Sequence, residues 1–236
     1  MCTDCGCAAT PTRAHTVTLL TGILRDNDRQ AAHNRDHLAA HGVLAINLMS
    51  SPGSGKTSLL EATIDAIGGR LRLAVIEGDL ETENDARRIR AKGVPAVQIT
   101  TGQACHLDAH MVHDALHALD LDAVDLLLIE NVGNLVCPAG FDLGQHANVT
   151  LLSVAEGDDK PQKYPVMFRA ADLVLLSKMD LLPAVGDFST RKVEEHVRAL
   201  ANPAGILHTS ARRAETLAPW IAWLEARLAA YRAEAA

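Results

Sequence analysis

The stretch SSPGSGKTSLL, residues 50–60, holds the groups that phosphate chemistry needs. Glycines let a backbone curl so that its N–H groups point at phosphate oxygens, and the start of a helix adds a favourable dipole. Gly53, Ser54, Gly55 and Ser58 would form that cradle. Lys56 would reach the terminal phosphates, and the Thr57 hydroxyl would ligate Mg²⁺. The usual pattern places a glycine where this chain has Ser50, and Gly53 adds one inside the loop. Two apolar runs end in acids: LAVIEGD delivers Glu77 and Asp79, and DLLLIEN delivers Glu130. Asp79 and Glu130 are the expected metal-associated acids and, with Lys56 and Thr57, the expected catalytic set. The alternative for Asp79 is a helix cap, since GDLETENDA precedes a helical stretch.

A base reader and a thiol set follow. SKMD, residues 177–180, resembles the N-K-x-D signature by which GTPases read guanine. The Asp180 carboxylate would accept from N1 and the exocyclic amine of guanine, donors that adenine does not offer together. Lys178 would pack along the base, and Ser210 and Ala211 in TSARR would back it. GTP is therefore favoured over ATP. Cys105-His106 follows the run AVQIT, and Cys137 follows Glu130 closely. Two thiols and an imidazole suit Zn²⁺ or Ni²⁺, with His110 as a further candidate ligand. The competing reading makes both cysteines small buried hydrophobes. His106, His110, His113 and His117 share one helical face, read as solvated or as a subunit interface. His15, His33, His37 and His41 are read as surface residues. Cys2, Cys5 and Cys7 form a terminal thiol cluster, for which a nickel site is favoured over a redox pair.

The elements that must position these groups are legible as short apolar runs alternating with amphipathic stretches. The runs are VLAINLM, LRLAVIEG, AVQIT, VDLLLIE, VTLLSVA, DLVLLSK and AGILHT. Continuous hydrophobicity predicts strands buried on both faces. Residues 58–67, 82–92 and 107–119 are expected helices. The fold class is α/β, a mostly parallel sheet flanked by helices, with ligands at the carboxyl ends of the strands. Residues 1–16 read as a flexible Cys-rich tail, 17–42 as a helical segment and 43–236 as a nucleotide-binding domain. The 236 residues carry a net charge of -7, with 48% hydrophobic and 22% charged. That balance argues against a nucleic-acid or membrane-surface partner. No apolar run approaches a spanning helix, and a cytoplasmic location with reduced thiols is expected.

CxxCGC at the start, then NLMSSPGSGKTSLL, EGDLETENDA, TGQACHLDAH, IENVGNLVCP and SKMDLLP, occur in that order. Together they resemble the HypB family of hydrogenase nickel-incorporation GTPases, which are SIMIBI-class P-loop proteins. The resemblance implies GTP hydrolysis with Mg²⁺ and delivery of nickel during [NiFe]-hydrogenase maturation. It also implies a GTP-dependent homodimer whose Ni²⁺/Zn²⁺ site matches Cys105, His106 and Cys137, and a nickel site matching Cys2, Cys5 and Cys7. A HypA-type metallochaperone and the hydrogenase large subunit are the implied partners. The rival readings are a related GTPase serving urease or a cobalamin-dependent enzyme, and a metal-buffering protein without GTPase activity.

Overall fold

The computed structural model describes residues 13–234, apart from Thr82 and Gln103. Cys2, Cys5 and Cys7 lie outside the described residues. The chain runs from a long helix α1 (Arg13–Ala40) into strand β1 (Leu44–Ser50) and helix α2 (Lys56–Ile67). It continues through β2 (Leu73–Asp79), α3 (Asn84–Ala91), β3 (Ala96–Thr100), α4 (Ala109–Leu116), β4 (Leu126–Glu130) and β5 (Ala147–Ser153). Short helices α5 (Lys160–Lys163) and α6 (Pro165–Arg169) precede β6 (Leu173–Ser177), α7 (Thr190–Ala199), β7 (Gly205–His208) and α8 (Ala218–Glu234). Among the described helices, none is long and apolar enough to cross a membrane.

All seven strands pair in parallel, in the order β3-β2-β4-β1-β5-β6-β7. Each coincides with one of the apolar runs. Every residue of β1, β4 and β6 is buried, whereas the outermost strands β3 and β7 are half-buried or exposed. This is the burial that continuous apolar runs require in a sheet covered on both faces. Successive strands spread outward from β1 in opposite directions, towards β4 on one side and β5 on the other. A crevice must therefore open at the carboxyl end of β1, where the connections diverge.

One face carries α2 and α8, joined by the buried Trp220, whose Nε1 donates to Thr63 Oγ1 at 2.9 Å. The other carries α1 and α4 over β1, β2 and β4, and α6 and α7 over β5 and β6. Asn27, Ala31, Asn34 and Leu38, the buried positions of α1, recur at helical spacing. Two of them are amides that act as clamps. Asn27 Nδ2 donates to Asp142 O at 2.8 Å, and Asn27 Oδ1 accepts from Ala109 N at 2.9 Å. Asn34 Nδ2 donates to Ala109 O and Leu143 O at 2.7 and 3.0 Å. The helical segment before residue 43 thus docks on the sheet domain through specific polar contacts.

At the opposite end of the sheet, Asp125 accepts from Arg72 and from Arg232 of α8. The Arg72 guanidinium holds its carboxyl well below the ordinary 3.8, against the effect of burial. A depressed carboxyl contributes stability that is present above its unfolded pKa and lost as pH falls towards the folded one. Asp125→Asn is expected to cost about 1–3 kcal/mol at pH 7. Denaturant unfolding of both proteins should show the gap narrowing below about pH 4.

Candidate functional site

The loop after β1 is held by its own serines and by the strand-end residues around it. Gly53 and Gly55 have φ of 73° and 100°, a region costly for any residue with a Cβ. Ser50 is buried where a glycine would be usual, and its hydroxyl has a task. It accepts from Ser54 Oγ and from Lys56 Nζ, the latter at 3.0 Å. Ser51 Oγ donates to Glu156 Oε2. Ser177, standing where guanine readers carry asparagine, donates to Ser54 O at 2.7 Å. Lys178 Nζ donates to Gly53 O at 2.6 Å. The serine at 177 therefore still braces the phosphate loop.

Lys56, Thr57, Glu77 and Glu130 are all buried at the strand ends. Parallel pairing places Leu48, Glu130 and Glu77 side by side across β1, β4 and β2. Thr57 Oγ1 donates to Glu130 Oε1 at 3.1 Å, and Lys56 Nζ lies 3.8 Å from the same oxygen. Burial first, and then the Glu130 carboxylate, push Glu77 up to about 11. Glu77 thus keeps its proton at neutral pH. Burial also raises Glu130, but Lys56 opposes that shift. Glu130 Oε2 accepts from no amide, hydroxyl or ammonium among the described residues, and the Glu130 carboxylate is hydrogen-bonded to the protonated Glu77. A carboxylate beside a threonine hydroxyl is the oxygen-donor setting that suits Mg²⁺. Asp79 ends β2 and lines the same cleft. The cap of α3 is Glu83, so Asp79 does not cap that helix.

Two clefts run together over this loop. One, of about 430 Å³, is lined by Lys56, Thr57, Asp79, Glu130 and Gly133. The other, of about 450 Å³, is lined by Gly55, Ser58, Asp180, Ser210 and Ala211. Lys178 borders both. Ser210 Oγ donates to Asp180 Oδ1 at 2.6 Å and holds that carboxyl below its ordinary value. An ionised acceptor therefore faces the second cleft. The sequence-read phosphate, metal and base residues all converge here.

The thiols come together beside it. Cys105 Sγ and Cys137 Sγ are 3.0 Å apart, and His106 Nδ1 is 3.7 Å from Cys105 Sγ. All three are half-buried, against the small-hydrophobe reading of the cysteines. The Cys105 thiol raises Cys137, and burial lowers His106, which favours its neutral, ligating form. Thiolates on a tetrahedral Zn²⁺ stand about 3.8 Å apart, so a small opening of the pair would admit an ion. His106 stacks on Phe141 with centroids 3.9 Å apart. His110 stands outside this trio and pairs with Asp26 at 3.2 Å. His117 is exposed, as a solvated face requires, but it and the half-buried His113 also meet His37 and His33 at α1.

Residues that the motifs did not single out join the two halves of the site. Asn131 is fully buried; its Oδ1 accepts from Leu107 N at 3.1 Å, and its Nδ2 donates to Asn47 Oδ1 at 3.2 Å. Asn134 Nδ2 donates to Cys105 O at 3.3 Å. Asp108 caps α4 by accepting from Met111 N at 2.9 Å, which fixes the turn that carries Cys105 and His106. Gly133 lies against the phosphate loop: a Cβ there would stand 2.8 Å from Pro52 Cα. The asparagines of ENVGN were visible as a polar run after a buried strand, but their partners lie far away in the chain.

Residues 44–208 match the family described as CobW/HypB/UreG, nucleotide-binding domain. The hydrogenase maturation factor HypB of Azotobacter vinelandii is 57% identical over 203 residues, covering 86% of this chain and 67% of the relative. The hydrogenase/urease maturation factor HypB of Helicobacter hepaticus is 48% identical over 206 residues, covering 86% and 84%. The crystal structure of HypB from Helicobacter pylori in complex with nickel superposes with a TM-score of 0.83 at 43% identity, covering 86% of this chain and 95% of that one.

Two variants separate the buried acids. Glu77→Gln is an isostere of the protonated acid and should change stability by under about 1 kcal/mol while sparing nucleotide binding. Glu130→Gln should abolish the Mg²⁺ dependence of nucleotide binding, read by titration of a fluorescent nucleotide. Gly133→Ala should weaken nucleotide binding with little change in far-UV circular dichroism, because its methyl must displace Pro52 backbone rather than a flexible side chain.

Proposed function

The chain belongs to the CobW/HypB/UreG family, in its HypB branch, and from that premise we propose that it is a GTP-hydrolysing nickel carrier for [NiFe]-hydrogenase maturation. GTP would lie along the joined clefts, its guanine on Asp180 and its phosphates over residues 53–58. Mg²⁺ held by Thr57, Glu130 and Asp79, directly or through water, would neutralise charge on the phosphates. Lys56 would hold the terminal phosphate oxygens, and no side chain need act as a general base, because positioning and charge stabilisation can carry phosphoryl transfer. Nickel or zinc is the cargo of Cys105, His106 and Cys137. Dimerisation on GTP, a HypA-type donor and the hydrogenase large subunit as recipient complete the reading, as does a nickel site at Cys2, Cys5 and Cys7.

One observation supports a coupling of nucleotide to metal: the segment from Glu130 to Cys137 touches both the phosphate loop and the Cys105 turn. Glu130 meets Thr57, Gly133 abuts Pro52, Asn134 holds the backbone of Cys105, and Cys137 meets the Cys105 sulphur. Loss of the γ-phosphate contacts would let that segment relax and change the Cys105–Cys137 spacing. Linkage then requires nickel to alter nucleotide affinity by the same factor. The relative from Helicobacter hepaticus is a hydrogenase/urease maturation factor, which favours a shared urease role as the second reading.

The test is a nickel titration of the reduced protein with GTP·Mg²⁺, ATP·Mg²⁺ or no nucleotide, with mass measured by light scattering. GTP alone should shift nickel affinity and raise the mass to that of a dimer. Cys105→Ser/Cys137→Ser should lose the responsive site, and Asn131→Ala should keep the site but lose its response. Nickel binding that ignores both nucleotide and Cys105/Cys137 would leave a GTPase without a metal switch.

A further inference from the structure

A second group of nitrogen donors lies away from the thiols, along the seam between α1 and α4. His33 and His37 lie on α1 with His41 just past its end, and His113 lies on α4 with His117 at its C-cap. Ring centroids are 5.1 Å apart for His33 and His113, 5.3 Å for His37 and His117, and 4.5 Å for His113 and His117. Ligand atoms of His37, His113 and His117 all lie within 4.8 Å of one another. His113 and His37 are half-buried, and His117 is exposed.

The tautomer of His113 follows from its surroundings. Asn34 is fully buried, and its Nδ2 is committed to the carbonyls of Ala109 and Leu143. Its Oδ1 therefore faces His113 Nδ1, 3.1 Å away, and must accept from it. With the proton on Nδ1, His113 Nε2 carries a lone pair. That lone pair faces His117 Nε2 at 3.2 Å. Two imidazole nitrogens on a tetrahedral ion with bonds of 2.0–2.1 Å stand about 3.3 Å apart, so the pair is already at ligand spacing. A histidine whose second nitrogen is fixed by an amide oxygen is the usual outer support of a metal ligand. On the α1 side, His37 Nδ1 is buried without a hydrogen-bond partner among the described residues. His41 Nδ1 is occupied by Asp122 at 2.7 Å, which leaves its other nitrogen free to assist.

We propose that His37, His113 and His117 form a second metal site, made of imidazole nitrogen and separate from Cys105, His106 and Cys137, for a borderline divalent ion such as Zn²⁺ or Ni²⁺. Three imidazole nitrogens suit such ions and disfavour Mg²⁺ and Ca²⁺, which prefer oxygen. An ion there ties α1 to α4, the helix that follows directly from Cys105-His106. The site does not depend on the nickel-carrier reading and would stand if the thiols proved to be packing residues.

The experiment uses the full chain with Cys2, Cys5, Cys7, Cys105 and Cys137 changed to serine. NiCl₂ and ZnCl₂ are titrated against a chromophoric chelator, and Co²⁺ serves as a spectroscopic probe. The expected result is one ion per chain, a Co²⁺ spectrum without sulphur charge-transfer bands, and a melting temperature that rises with metal. His117→Gln, at an exposed position, and His37→Gln should each remove both the ion and the thermal shift; His208→Gln should remove neither. Should His37→Gln fail to fold, His117→Gln carries the test. A thiol-free chain that binds no ion, or His117→Gln binding as tightly as its parent, would overturn the proposal.

Discussion

Lys56 and Glu130 form a buried ion pair at the end of an otherwise apolar sheet, and the rest of the molecule is arranged around that pair. Charges taken out of water are tolerated only when paired and hydrogen-bonded; breaking such a pair costs roughly 3–5 kcal/mol. Here the Lys56 ammonium meets Ser50 as well as Glu130, and Glu130 meets Thr57. Glu77 avoids a second buried negative charge by keeping its proton. The protonated Glu77 is hydrogen-bonded to Glu130, so the buried cluster sets one carboxylate beside one ammonium. A fold that keeps such groups at the carboxyl ends of its central strands is set up for a cation and a polyanion.

The parallel sheet makes this arrangement possible. β1 sits between β4 and β5, so the loops that follow all three converge on one crevice. The segment after β4 then serves two neighbours at once, the phosphate loop through Gly133 and the thiols through Asn134 and Cys137. On the proposed reading, a movement of this short segment would pass between its neighbours through the Gly133–Pro52 approach and the Asn134 bond to the Cys105 carbonyl.

The seven strands, the phosphate loop and the SKMD turn that lines its cleft were legible in the chain because each is local. Continuous apolar runs mark strands covered on both faces, and GSGKT carries its own turn and helix start. Spacing alone also brought Cys105, His106 and Cys137 under suspicion. Departures from the usual motifs were harder to read. Ser50 and Ser177 look like losses in the sequence, yet each hydroxyl makes a bond that holds the phosphate loop.

What the chain could not disclose were contacts whose partners lie far apart along it. Helical period placed His106, His110, His113 and His117 on one face, but not what that face would meet. His110, His113 and His117 meet α1, because Asn27 and Asn34 clamp that helix onto Ala109 and the 142–143 loop, whereas His106 stacks on Phe141. The sequence favoured Asp79 over Glu77 as a metal-associated acid; the register of β2 beside β4 buried Glu77 against Glu130 and left Asp79 on the cleft. Hydrophobic pattern is written residue by residue, so it decides which segments become strands. Register and helix docking arise only when distant segments bury their polar groups against one another, so only the folded chain decides which acid stays charged and which histidines meet.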